Sequence, residues 1–402
     1  MPDEVRTEQA AAPSEPAEPA GSADARPAAP GQPLAIRSEK RVEWVELLFD
    51  LVFVFAVTQV AARLGQEPTW HGVLAAFAAF TPFWWSWVGT AVLANSADMT
   101  ATVNRLRVFA IGGCSLVMTV AVPSVFDGGG WLFACAYAVL RTVLLQWWFA
   151  GVARRRWAPS PFTWSSFVTA PLLLVTVPLD GDAQVVAWAV VVLGELASST
   201  LFRARLARLR INVTHMPERF GLVVIIALGE TVVAAAAGLG GHLDPEHVVA
   251  LLLAWVLVCG LWWLYFAHSA AAIAYALETA ESPSRVVRWI FSYGHYGLTL
   301  AVIAIAVALE HVVHSPGGRL HGEQWLLCGG TALYLAVFTW QRWLMFRTVS
   351  PTRAPAAAAA LLLGVVASFG PGMVGLALVA ALVAGLAPVE AAVIRRARRA
   401  AA

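Results

Sequence analysis

The sequence predicts an all-α, polytopic membrane protein with about twelve transmembrane helices arranged as two parallel six-helix repeats. Three observations carry this reading. Of 402 residues, 59% are hydrophobic and 13% charged, against roughly 25% charged in a soluble domain, so lipid is the main solvent for most of the chain. The apolar residues come in runs near the ~20 residues needed to cross a bilayer. The basic residues are segregated into alternate loops.

Residues 1–36 stand apart. They are rich in Pro, Ala, Glu and Gly and bury too little apolar surface to offset ordering entropy, which predicts a disordered cytoplasmic tail. The tail has no basic segment followed by an apolar one, so targeting falls to the first helix rather than to a cleaved signal peptide.

The apolar runs follow at about 44–64, 70–95, 105–123, 130–150, 162–178, 183–201, 218–240, 246–272, 286–311, 323–346, 356–370 and 372–390. The last two are separated at Phe369-Gly370-Pro371-Gly372, because Pro and Gly end helices. With a cytoplasmic N-terminus, alternate loops hold 22 of the 27 basic residues, among them Lys40, Arg154, Arg219, Arg288 and Arg353. The opposite loops hold two, Arg63 and Arg319. That asymmetry is what the positive-inside rule requires, and it places the chain in the cell (cytoplasmic) membrane with both termini inside. Trp44, Trp70, Trp131, Trp157, Trp289 and Trp325 fall near run ends, where an amphipathic ring suits the headgroup region.

The two halves echo each other at an offset of about 175 residues. His71 opens a run carrying Trp84, Trp85 and Trp87, and His247 opens one carrying Trp262, Trp263 and Tyr265. Residues 43–58 correspond to 218–231, each an apolar helix with acids and a late threonine. The predicted units are a first repeat over 37–210, a second over 211–394 and a basic cytoplasmic tail over 395–402. An even number of spans gives both repeats the same orientation, a plan suited to transporter halves.

Ionisable groups inside such runs are the functional candidates. A charge deep in a span costs at least ~2.5–3.5 kcal/mol, so Glu46, Asp50, Arg141, Glu195 and Glu230 each need a reason to be there. Glu46 and Asp50 are i,i+4 and share a helix face; two carboxylates so close repel unless a cation intervenes. Arg141 reads as the single deep cation, with a hydrogen bond to Asp50, Glu46, Glu195 or Glu230 expected and Asp50 favoured. Thr58 adds a hydroxyl to the first helix, where bonding to its own backbone is the commoner arrangement. Static ion pairs holding the helices in register are the competing explanation.

Other chemistry finds little footing. No GxSxG, HExxH, Walker A or dinucleotide fingerprint occurs, so neither an enzyme nor a cofactor is expected. His311 and His314 are i,i+3, yet no fixed ligand set emerges around them and no metal is assigned. His268 and His295 read as packing histidines. Cys114, Cys135, Cys259 and Cys328 lie in apolar runs without CxxC spacing and read as small hydrophobes. No basic patch alternates with exposed aromatics, so nucleic acid is not a partner. The lipid bilayer and an unidentified small solute or ion are.

The segment Val45-Glu46-Leu47-Leu48-Phe49-Asp50-Leu51-Val52-Phe53-Val54-Phe55-Ala56-Val57-Thr58-Gln59 resembles the opening signature of the low temperature requirement A (LtrA) family of bacterial membrane proteins. The segment Glu218-Arg219-Phe220-Gly221-Leu222-Val223-Val224-Ile225-Ile226-Ala227-Leu228-Gly229-Glu230-Thr231 resembles its second signature. The likeness covers residues 38–394; Leu48 stands where the family often has Phe. It implies a link to growth in the cold but brings no reaction or substrate. Phe49-Asp50 followed by Thr58 is also similar to the Phe-Ser-Asp pore-helix motif of two-repeat endolysosomal potassium channels, without the serine and without an aspartate in the second repeat. The combined expectation is a transporter of a small solute or ion coupled to protons through buried acids. The alternatives are a two-repeat ion channel and a non-catalytic membrane scaffold for envelope adaptation.

Overall fold

A computed structural model describes residues 35–36, 42–151 and 158–401. Residues 1–34 of the expected tail, Lys40, the basic loop at 154–156 and Trp157 lie outside the described residues. Among the described residues, each apolar run of the sequence is met by a helical segment. These are α1 (Trp44–Gln66), α2 (Trp70–Ser96), α3 (Thr102–Ser124), α4 (Gly130–Gly151), α5 (Pro161–Thr176) and α6 (Gly181–Leu201). Then follow α7 (His215–Gly238), α8 (Pro245–Glu278), α9 (Pro283–His314), α10 (Glu323–Phe346), α11 (Arg353–Ala367) and α12 (Gly372–Ala401). Among the described residues, strand is confined to two parallel two-residue pieces, β1 (Ala35–Ile36) and β2 (Ile211–Asn212).

Eight of these described helices are long and apolar enough to cross a membrane: α1, α3, α4, α6, α7, α8, α9 and α12. The helices α5 and α11 are apolar but shorter. The helix α2 has the length, and a continuous stretch of it from Ala78 to Asn95 is buried by its neighbours. A helix sheathed by protein need not be apolar, which explains its Thr81, Pro82, Ser86 and Thr90; the three hydroxyls bond backbone carbonyls of the preceding turn. Outward-facing Leu51, Val120, Leu201, Val233 and Leu252 are all more than half exposed, a surface made for lipid rather than water.

Helix ends are closed by local chemistry. Glu43 N–H donates to Glu46 Oε2 (3.0 Å) at the start of α1, and Thr69 Oγ1 accepts from Gly72 N–H at the start of α2. Asn212 Oδ1 accepts from the Thr214 and His215 amides ahead of α7. Such caps satisfy amides with no intrahelical partner.

The core centres on α1, α2, α7 and α9. Helix α1 packs on α2, α3, α7 and α9, and α7 packs on α9. Their aromatic side chains interlock: Trp84 lies 5.5 Å from Trp87, Trp87 lies 4.8 Å from Phe220, and Phe53 lies 5.8 Å from Trp87. Helices α1 and α7 start at the same end and run in the same direction, since Asp50 meets Arg219 near their starts and Thr58 meets Glu230 further along. The tryptophans matched between the halves differ in setting. Trp84 and Trp87 are fully buried, whereas Trp262 and Trp263 are 43% and 50% exposed.

Among the described residues, three helices contain π-helical stretches, at Ser165–Thr169 in α5, Tyr265–Ser269 in α8 and Val287–Gly294 in α9. Such widened turns cluster at functional sites.

Candidate functional site

The acids of α1 meet a matching pair on α7. Glu46 and Asp50 are one turn apart on α1, and His215 and Arg219 are one turn apart on α7, so the parallel helices form a two-rung ladder. On the first rung His215 Nε2 is 3.1 Å from Glu46 Oε2. On the second, Arg219 grips Asp50 with both terminal nitrogens, Nη1 to Oδ2 at 3.0 Å and Nη2 to Oδ1 at 2.9 Å. Arg219 Nε lies 3.6 Å from Glu46 Oε1, so the guanidinium also bridges the rungs. All four side chains are fully buried.

Helix α2 closes the ladder from the side. Trp87 Nε1–H donates to Asp50 Oδ1 at 2.7 Å, and the Arg219 guanidinium lies 5.5 Å from the Trp87 ring centre, within cation–π range. Two turns further along α2, Asn95 exchanges two hydrogen bonds with the Asn212 backbone. Its Oδ1 accepts from the amide at 2.8 Å and its Nδ2 donates to the carbonyl at 3.1 Å. With its amide fixed in this way, Asn95 presents Nδ2–H to His215 Nδ1 at 3.2 Å. Nδ1 must therefore accept, and the imidazole is the neutral tautomer with its proton on Nε2, donated to Glu46.

The ladder's charges do not balance. Two carboxylates face one guanidinium and one neutral imidazole, and Glu46 Oε1 is buried with no hydrogen-bond donor. Among the described residues, no further cation forms an ion pair with either acid.

A second buried cluster is built around Glu195 of α6. Arg141 Nη2 of α4 donates to Glu195 Oε1 at 2.8 Å. The π-helical stretch of α5 places two hydroxyls on the same carboxylate, Ser165 to Oε1 at 2.5 Å and Thr169 to Oε2 at 2.6 Å. The Arg141 guanidinium lies 4.9 Å from the Tyr137 ring centre. This carboxylate is fully satisfied and electrically paired.

The remaining candidates fall elsewhere. Thr58 donates to its own Val54 carbonyl at 3.2 Å, as its position in a helix suggests, and stands beside Glu230, which has Glu310 as an acidic neighbour. His295 is a packing histidine: Nδ1–H donates to Ile290 O at 3.0 Å and Nε2 accepts from Tyr265 at 2.8 Å.

Two expectations need correction. Arg141 does meet one of the four acids expected, but it is Glu195 and not the favoured Asp50: α5 packs against both α4 and α6 and holds that pair together, while Arg219 of α7 occupies Asp50. Arg141 is also not the single deep cation: Arg219, Arg288 and Arg353, assigned to loops by their closeness to run ends, are 0%, 9% and 7% exposed. Helix α7 starts at His215, three residues before the apolar run, and so carries Arg219 into the core. Arg353 Nε and Nη2 bind Glu390 at 2.7 and 2.9 Å, tying α11 to α12. His215, Trp87 and Asn95 were not among the sequence candidates. The signal available for His215 was its i,i+4 spacing to Arg219, the mirror of Glu46 and Asp50.

Residues 41–388 match the family described as Bacterial low temperature requirement A protein (LtrA). The chain belongs to the LtrA family. The two LtrA signature segments thus face each other in the fold, with Asp50 of the first held by Arg219 of the second. A protein of Rhizobium meliloti (strain 1021), Uncharacterized protein RA0937, is 28% identical over 321 residues, covering 76% of this chain and 78% of that protein. No solved structure matches the chain.

Proposed function

We propose that this LtrA-family protein is a proton-coupled transporter of a small solute or ion in the cytoplasmic membrane. In this reading all twelve helical segments cross the bilayer as two six-helix units, and both termini are cytoplasmic. The common direction of α1 and α7 supports the two-unit plan, since an even number of crossings separates them.

The observation that carries the reading is the charge imbalance of the ladder. A structural ion pair serves best when it is neutral, because uncompensated charge away from water is costly. Two carboxylates against one guanidinium leave a surplus negative charge, and a proton shared between Glu46 and Asp50 removes it. A buried group that takes and gives up one proton is the minimum a coupled carrier needs. The ladder fills the interface between α1 and α7, which favours a carrier with alternating packing over an open pore along that interface.

Proteoliposomes with a pH-sensitive dye inside test this. A panel of organic acids, amino acids, sugars and inorganic ions is added under an imposed pH gradient. At least one solute should move protons with it, and Glu46→Gln and Asp50→Asn should uncouple the two. Solute fluxes that stay equally pH-driven in both variants would remove the coupling role.

A further inference from the structure

A separate cavity lies beside the Glu195 cluster, bounded by α2, α4, α5, α6, α9 and the segment leading to β2. Its volume is about 60 Å3, room for a group the size of several waters. Most of the wall is apolar, including Trp85 and Phe162. The polar groups are few: the guanidinium groups of Arg141 and Arg288 are donors only, while the hydroxyls of Ser165, Ser199 and Ser292 already donate to Glu195, Tyr293 and the Val287 carbonyl.

Arg288 is the group without an explanation. It is only 9% exposed, its Nε has no hydrogen-bond partner, and among the described residues no carboxylate pairs with it. Its guanidinium carbon lies 5.5 Å from the Trp289 ring centre, with Tyr293 a further neighbour. Arg141 is neutralised by Glu195, yet its Nε is also unpartnered. The cavity therefore carries a net positive charge, and Arg203 and Arg285 stand close enough to add to the field at Arg288. Two π-helical stretches shape the wall, one supplying Ser165 and the other Arg288 and Ser292.

We propose that this cavity binds a small organic monoanion, an oxyanion head on a short apolar body. The head takes its hydrogen bonds from Arg288 and Arg141, because a planar guanidinium matches an oxyanion in charge and geometry. The apolar body lies against Trp85 and Phe162. Sparse polar groups in a mostly apolar wall are the usual composition of a small-molecule site. The inference deepens the transport reading by giving the class of cargo, and it rests on that reading for the step from binding to movement.

The test reads binding alone, so its failure leaves the proton-coupling result untouched. Full-length protein in lipid-free detergent is titrated calorimetrically with butyrate, butyramide and chloride. Butyrate should bind saturably, butyramide should not, and chloride should compete weakly. Arg288→Gln should weaken butyrate about tenfold or more, the scale of losing one charge-assisted contact, and Arg288→Lys, which keeps the charge but not the planar fork, should lose less than Arg288→Gln. Val92→Phe, which fills the cavity while leaving both arginines in place, should abolish binding and serves if Arg288→Gln fails to fold. Equal affinity for butyrate and butyramide, or affinity unchanged in both Arg288→Gln and Val92→Phe, would overturn the proposal. Repeating the titration in phosphatidylcholine nanodiscs with and without phosphatidic acid separates the sources. Competition by phosphatidic acid assigns the site to a lipid head, and its absence assigns it to a soluble acid.

Discussion

Replacing Arg219 with methionine removes the one cation of the ladder while keeping most of the side-chain volume. The guanidinium is fully buried, holds Asp50 at 2.9 and 3.0 Å and reaches Glu46 at 3.6 Å. Breaking a buried pair from one side costs about 3–5 kcal/mol, mostly from the charge left behind. That is a large share of the ~5–15 kcal/mol that separates folded from unfolded states. Scaled by ~2–4 °C per kcal/mol in chains of 150–250 residues, the unfolding midpoint in detergent should fall by on the order of 10 °C. Asp50→Asn removes the stranded acid, so the double variant should recover at least ~1.5 kcal/mol of the summed single losses, within the range of directly coupled neighbours. Thermal unfolding followed by tryptophan fluorescence reads all three proteins. Losses that add to within ~0.5 kcal/mol, as for independent sites, would refute the ladder.

The second cluster makes the complementary prediction. Arg141→Leu should be coupled to Glu195→Gln and additive with Asp50→Asn to within ~0.5 kcal/mol in the same assay. Gly238→Ala should destabilise by ~1–3 kcal/mol, because a Cβ there meets the Glu310 carbonyl and forces α7 and α9 apart. At the start of α8, the hydrogen bond with His247 holds Asp244 below the usual carboxylate range. The folded-state value is depressed, so the stabilisation is complete above the unfolded value of ~3.9 and is lost as pH falls through the lower folded value. Hydrogen exchange at the Glu246 and His247 amides, which Asp244 caps, should show protection that stays constant from neutral to mildly acidic pH and is lower in Asp244→Ala throughout that range.

The helices were legible because apolar runs and Pro-Gly breaks act locally. The ion-pair partners were not, because they depend on which helices meet. Arg219 illustrates the difficulty: a cation at the edge of an apolar run reads as a loop charge until the helix start is known, and His215 fixes that start three residues earlier. The repulsion between Glu46 and Asp50 correctly demanded a cation, but nothing in the sequence distinguished Arg141 from Arg219 as its source. Arg141 with Glu195 was within reach, since both lie deep in their runs and a lone guanidinium there needs an acid. Asn95 acts through a backbone hydrogen-bond exchange with Asn212, 117 residues away, and no spacing in the sequence marks it.

The central claim is that the ladder holds a proton between Glu46 and Asp50. Infrared difference spectroscopy at neutral pH, comparing the protein with Glu46→Gln and with Asp50→Asn, measures this directly. With either acid removed, the other is balanced by Arg219 and needs no proton. Both comparisons should therefore show the loss of one protonated-carboxyl band. Spectra with the same protonated-carboxyl intensity in all three proteins would contradict the account.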